Sequence, residues 1–232
     1  MVTARRWPSS GPSRDRLERR IGAWSRRQLA RALVERNGDL HVAGLEKVPH
    51  TGPAILVARH YHHLYDAAAI LTTVPREVHV LIAADWLGDG WRLALMRRLA
   101  AAARWPMVWR RGVSWRVNRE GYTASLELLE EGRVLLVFPE GYPVIDPRPS
   151  RRSKIDAILP FDPGFLVLAE RARCEVPLVP VGLAYARRDA GTWSIWVRFG
   201  APHRHARAGR VERRAAMARL ESAVRDLSTP PG

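Results

Sequence analysis

Apolar residues along this chain fall into short runs and into spaced stripes, and the two patterns predict different elements. Three largely apolar runs, 54–58, 78–84 and 133–138, read as buried strands, and 176–181 reads as a proline-punctuated strand. Residues 40–44 and 194–199 alternate apolar with polar, as a half-buried strand does, and 106–109 is a short extended piece. Pro177 and Pro180 each remove a ladder donor, which places 176–181 at or near a sheet edge. Helical spacing fills the intervals. It is found at 14–35, from Ala67 onward, at 86–103, and at 117–131 with Gly132 as its C-terminal stop. It returns at 164–172 and from about Arg210, where Met217, Leu220, Val224 and Leu227 share a face. Strand and helix alternate throughout, predicting a three-layer α/β arrangement with much parallel pairing.

The ends of the chain are different in character. Residues 1–13 contain Pro8, Ser9, Ser10, Gly11, Pro12 and Ser13 and read as a flexible tail. In 14–35, Leu17, Ile21, Trp24 and Leu33 favour one side among many arginines. That pattern suits a helix lying on an anionic membrane, and equally a helix packed on its own domain with a solvated basic face. The expected organisation is therefore a tail and basic amphipathic helix (1–36), a catalytic domain (37–206) and a packed C-terminal helix (207–232).

Composition narrows the class. Hydrophobic residues make up 47% and charged residues 26% of the 232 positions, a globular balance. No stretch approaches the roughly 18–20 apolar residues that cross a bilayer, and arginines interrupt the N-terminus where a signal peptide has its apolar core. A cytoplasmic location is expected. With Cys174 as the single cysteine, an intrachain disulfide and a four-thiolate zinc site are excluded. The net charge of +15, mostly arginine, suits nucleic acid, an anionic membrane face or a phosphorylated substrate, and a high-GC codon bias accounts for it as well. Aromatic residues interleaved with arginines are missing, and so is a nucleic-acid-binding motif, so no nucleic acid partner is expected.

Candidate chemistry sits where predicted strands end. His60, His62, His63 and Asp66 follow directly on 54–58. Functional groups in open α/β sheets gather at the carboxyl ends of strands. A carboxylate beside a histidine fixes its tautomer and stabilises its protonated form, so the imidazole can take a proton from a hydroxyl. Two more strand ends carry Arg110-Arg111 and Glu140-Gly141. Arginine's planar fork suits phosphate, and a glycine turn offers backbone amides to an anion. Together these residues predict proton abstraction from an alcohol that carries a phosphate. A zinc hydrolase is the rival, since His60, His62, His63 and Asp66 include metal-ligand types. However, His79, His203 and His205 form no matching second cluster.

In order and spacing, these segments resemble the glycerolipid acyltransferase superfamily, the group that contains the lysophosphatidate acyltransferases. Gly44 to Pro49 with Gly52-Pro53 is similar to the family's lead-in, and Ile55 to His60 to its strand and catalytic histidine. Arg110 or Arg111 resembles its second-motif arginine. Phe138-Pro139-Glu140-Gly141 matches its third motif, Val176 to Val181 its fourth, and Phe199 to Pro202 its closing strand. The resemblance spans about Leu40 to Pro202 and implies a three-layer, mostly parallel sheet flanked by helices, like glycerol-3-phosphate acyltransferases. It implies transfer of a fatty acyl group from acyl-CoA or acyl-carrier protein to a hydroxyl of a lysophospholipid-type acceptor, with no bound cofactor or metal. His60 would be the base, Asp66 its orienting partner, and Arg110, Arg111, Glu140 and Gly141 the acceptor's phosphate pocket. A lipid substrate implies peripheral attachment to the inner, anionic face of the membrane, with Trp86 and Trp91 either lining a lipid groove or packed in the core.

Two departures from the family pattern matter. The family places its histidine five residues before its aspartate, and that position here is Tyr61. Strand alignment selects His60, six before Asp66, with a one-residue bulge. Helical spacing selects His62, four before it. The altered spacing also admits a lipid-binding protein with impaired catalysis. Second, Tyr142-Pro143 stands where the family has threonine and arginine, so the phosphate ligand would come from Arg148, Arg151 or Arg152, or the acceptor lacks a phosphate.

Overall fold

The computed structural model of the chain describes residues 12–85, 90–110, 115–145, 158–188, 191–205 and 209–230. Six strands form the main sheet, in the order β1 (Gly38–Ala43), β8 (Trp193–Phe199), β7 (Leu178–Arg187), β2 (Ala54–Ala58), β6 (Val134–Val137) and β3 (Val78–Val80). All neighbours are parallel except β7 and β8. Near-continuous apolar strands such as β2 and β6 belong at the centre of such a sheet, because helices cover both of its faces.

Alternation along β2 sends its side chains to two cores. Ala54, Leu56 and Ala58 face the layer of α1 (Pro12–Asn37) and α2 (Tyr65–Thr73), packing near Val34, Ala69 and Ile70. Ile55 and Val57 face the layer of α4 (Trp115–Glu130), α5 (Gly164–Arg171) and α6 (Arg210–Leu227), near Leu129, Leu166 and Leu220. The sheet with a helix layer on either face is the three-layer α/β arrangement read from the sequence.

Two local expectations are corrected. The run 78–84 is not one strand. Leu81 still donates to Leu136 O (2.9 Å), but Ile82 and Ala84 donate to Pro106 O (2.8 Å) and Val108 O (2.7 Å). The reason is that β6 ends at Val137 and Pro139 follows without an N–H, so the main sheet offers no further partner. The chain continues as β4 (Ile82–Ala83), parallel to β5 (Met107–Val108) in a small second sheet. The strand β7 is interior rather than at an edge. Its prolines are tolerated because register with the facing chain changes beside Pro180. Leu178 bridges His203 whereas Val181 pairs with Phe199, leaving one extra residue across from the proline. Pro180 takes part there as an acceptor only, from Gly200 N–H (2.8 Å).

The remaining helix, α3 (Trp91–Ala103), lies at the β3 end, where the carbonyls of Ala103 and Arg104 each lie 3.2 Å from His79 Nδ1. The apolar stripe expected on α1 is also revised. Ala30 and Val34 are its buried positions, while Ile21 and Trp24 are exposed and the Leu17 side chain lies outside the described set. Arg26 pairs with Glu77 (3.0 Å) and Arg27 donates to Thr72 O (3.0 Å), tying the helix to its neighbours.

Candidate active site

Past Ala58 the chain leaves the sheet and turns into α2, whose second residue is Asp66. The Asp66 side chain is buried and fully hydrogen-bonded. Its Oδ2 accepts His60 Nδ1–H (2.9 Å) and the backbone N–H groups of Tyr61 (2.6 Å) and His62 (2.9 Å), and its Oδ1 accepts the Tyr185 hydroxyl (2.5 Å). Two successive amides folding onto one carboxylate oxygen close the six-residue interval between His60 and Asp66. With Nδ1 protonated and held by the carboxylate, Nε2 on the opposite edge of the His60 ring is the nitrogen that takes up a proton. The ring stacks on Phe138 (4.4 Å between centroids), which fixes its plane.

The other two histidines of the cluster have different partners, although His63 lines the same cavity as His60. His62 precedes α2, and although its carbonyl accepts Asp66 N–H (3.3 Å), its ring does not meet the carboxylate. Its ring is buried against Tyr65 (4.3 Å) and His63 (4.8 Å), and Nδ1 accepts Leu64 N–H (3.2 Å). Burial, reinforced by the neighbouring His63, lowers its pKa from 6.5 to about 4. His63 Nδ1 donates to Ile145 O (3.2 Å), a neutral carbonyl where His60 has a carboxylate. Among the described residues, no group of three or more His, Cys, Asp or Glu side chains converges as a metal site.

Glu140 and Gly141 line a pocket at this corner and also bond within the protein. Glu140 is buried, its Oε1 accepting His60 N–H (2.7 Å) and its Oε2 accepting Leu159 N–H (2.9 Å), so it anchors the backbone that carries His60. The Gly141 amide donates within its own turn to Phe138 O (3.0 Å). Its φ of 75° is a left-handed conformation that glycine adopts without strain, and this aims its carbonyl at Arg110.

Arg110 is held on three sides. It donates from Nε to Asp85 Oδ2 (2.7 Å) and from Nη1 to Gly141 O (2.6 Å), and its guanidinium lies 4.0 Å from the centre of the Tyr142 ring. Parallel pairing of β4 with β5 brings Asp85 and Arg110 to the same end of the small sheet, which explains the ion pair. Arg111, Trp86 and the loop arginines Arg148, Arg151 and Arg152 lie outside the described residues.

Two cavities share this corner. An apolar groove of about 380 Å³ runs from Leu29 and Leu33 of α1 past Leu71 and Met96 to His60 and Phe138. A smaller pocket of about 240 Å³, on the Trp109, Asn118, Tyr122 and Asp162 side, also contacts Phe138 and Arg110. His60, the apolar groove and the second pocket thus adjoin, an arrangement that can hold a long chain with its reactive end at an imidazole. Sequence reasoning missed Asp85, Phe138 as a stacking surface, and Tyr185. Each acts on a residue far away along the chain, and no local spacing marks it.

No curated protein sequence matches the chain. Among solved structures, the 1-acyl-sn-glycerophosphate (LPA) acyltransferase PlsC from Thermotoga maritima is similar in fold. Its TM-score is 0.62 at 19% identity, over 92% of this chain and 83% of that one. A family model described as Acyltransferase matches residues 39–184, well over half of the sequence, and takes in β2 with His60 and Asp66, β5 with Arg110, and β6 with Glu140. The chain belongs to the acyltransferase family.

Proposed function

We propose that this acyltransferase moves a fatty acyl group from a coenzyme A or acyl-carrier-protein thioester to a hydroxyl of a lysophospholipid-type acceptor. The observation that carries the reading is the His60–Asp66 pair (2.9 Å) at the end of an apolar groove. His60 Nε2 takes the proton from the acceptor hydroxyl while Asp66 stabilises the imidazolium. The alkoxide oxygen attacks the thioester carbonyl, and the tetrahedral intermediate expels the thiolate, which receives the proton back from His60. The two substrates meet directly, with no acyl-enzyme. Since His60 and Asp66 are in contact, their six-residue spacing gives no ground for a catalytically impaired protein.

The relative's name motivates lysophosphatidate as the first acceptor to try. The Arg110–Asp85 pair argues for testing it beside an uncharged monoacylglycerol, because a phosphate reaching Arg110 competes with a carboxylate already in place. The enzyme is proposed to work on the cytoplasmic face of a membrane. No helix among the described residues is long and apolar enough to cross one. The helices flanking the groove, α1 and α3, leave Trp24, Leu29, Trp91 and Leu95 exposed, as an interfacial surface would.

The test is thiol release from a long-chain acyl-CoA with each acceptor in anionic vesicles. Acceptor-dependent release is expected from the wild type and from His62→Ala. His60→Ala and Asp66→Asn are expected to lose about 10²–10⁴-fold in kcat/KM. Full activity in His60→Ala, with loss in His63→Gln, overturns the base assignment.

A further inference from the structure

Asp66 is held from two sides, and one of them is a residue of β7 that lies between the motif segments. Three donors converge on Oδ2, all from the segment 60–62. Among the described residues, Oδ1 has one donor, the Tyr185 hydroxyl at 2.5 Å, 119 residues away on β7. Tyr185 follows immediately after the matched stretch 39–184. Its ring stacks on Tyr61 (4.7 Å) and meets Trp193 edge-on (5.9 Å), so the hydroxyl has little freedom to swing away.

We propose that Tyr185 is a positioning residue of the acyl-transfer site: its hydroxyl clamps Asp66 Oδ1, which keeps Oδ2 on His60 Nδ1 and His60 Nε2 turned to the acceptor hydroxyl. This rests on the reading of His60 as base. A carboxylate held only through Oδ2 can rotate about its Cβ–Cγ bond and trade the imidazole for either amide. A donor on Oδ1 blocks that rotation. Burial, and then the nearby Asp66 carboxylate, push the Tyr185 phenol well above its ordinary pKa, so it stays protonated and donates throughout the working range. The titratable groups facing this cluster are His60, His62 and His63 on the loop, Tyr61 and Tyr65 beside them, Glu140 beneath His60, and Arg59 over the Tyr61 ring. With Arg59 and Glu140 unchanged, removing one hydroxyl is a local perturbation.

The clamp also tunes charge. A donor on Oδ1 draws electron density from the carboxylate, so its loss makes Oδ2 a stronger acceptor and favours the imidazolium. Since the base must be neutral to act, the acid limb of the kcat/KM–pH profile moves to higher pH.

The experiment compares wild type, Tyr185→Phe and the enzyme carrying 3-fluorotyrosine at 185, measuring kcat/KM from pH 5 to 9 and thermal melting. Tyr185→Phe keeps the stacked ring. It is expected to lose about tenfold in kcat/KM at pH 7 and to shift the acid limb up by about half a pH unit. Fluorotyrosine, a stronger donor, is expected to shift the limb down. Identical limbs in all three, with only melting changed, overturn the proposal by showing Tyr185 to be structural. If Tyr185→Phe does not fold, the fluorotyrosine shift alone decides. His60→Ala in parallel separates the two ideas. An active His60→Ala removes the base assignment, whereas an inactive one beside unmoved limbs removes only the role of Tyr185.

Discussion

His62 and His60 are two residues apart and are driven to different chemistry by their surroundings. His60 faces the groove with a carboxylate behind it, while His62 is enclosed by Tyr65, His63, Tyr185 and Trp193. Burial lowers the His62 pKa from 6.5 to about 4. In the unfolded chain it regains its ordinary value, so between these limits the unfolded state binds more protons. Stability from keeping this ring neutral is complete above about pH 6.5 and is lost as pH falls towards 4, by about 3 kcal/mol in total. His62→Gln is expected to make the decline of urea-unfolding free energy between pH 7 and 4 shallower than in the wild type. An equal decline in both proteins sinks the assignment. The cluster of histidines with Asp66 was legible as a site in the sequence. Strand alignment pointed to His60 and helical spacing to His62, and the contact with Asp66 is made by His60.

Elements fail or succeed here according to their partners. A strand's backbone groups need partners, and this requirement splits 78–84 into β3 and β4, while β7 sits in the interior despite Pro180. The same logic places α6. Gly182 on β7 lies directly under its last turn, where a Cβ would overlap the backbone of Leu227. That close approach lets Arg198 donate to Leu227 O (3.0 Å) and Arg59 reach Ser228 O (3.4 Å), so the C-terminal helix is tied to the residue that precedes His60. Gly182→Ala is therefore expected to cost about 1–3 kcal/mol by forcing α6 outward. Denaturant unfolding reads the loss, and an unchanged midpoint contradicts the packing argument.

At the scale of the whole molecule, the proposed membrane attachment would draw on the groove, its exposed flanks and the +15 charge. An anionic bilayer attracts surface arginines by about 1 kcal/mol each, and exposed apolar groups on α1 add burial. Trp24 is 63% exposed and Trp91 71%, which is unusual for tryptophan in a packed domain. Binding to anionic vesicles is expected to weaken with rising salt and in Trp24→Ser, and to persist in His60→Ala. Flotation checks both. Binding that ignores salt and Trp24 alike removes α1 from the membrane surface.

Periodicity and strand-end chemistry are local properties, so the sequence alone determined the α/β class, the central strand 54–58, the helices between strands and the corner where His60, Arg110 and Glu140 gather. The fourth, proline-bearing segment was legible as a strand for the same reason, but its place in the sheet was not. Sheet order, the departure of β4, and the burial of Ala30 and Val34 rather than Ile21 and Trp24 depend on what each element finds to pack against. The tertiary structure also decided the work of the polar groups. Glu140 holds two backbone amides, Asp85 neutralises Arg110, and Tyr185 closes on Asp66 from 119 residues away. A hydrogen bond depends on separation in space, and the pattern along a chain constrains that separation only within a few residues.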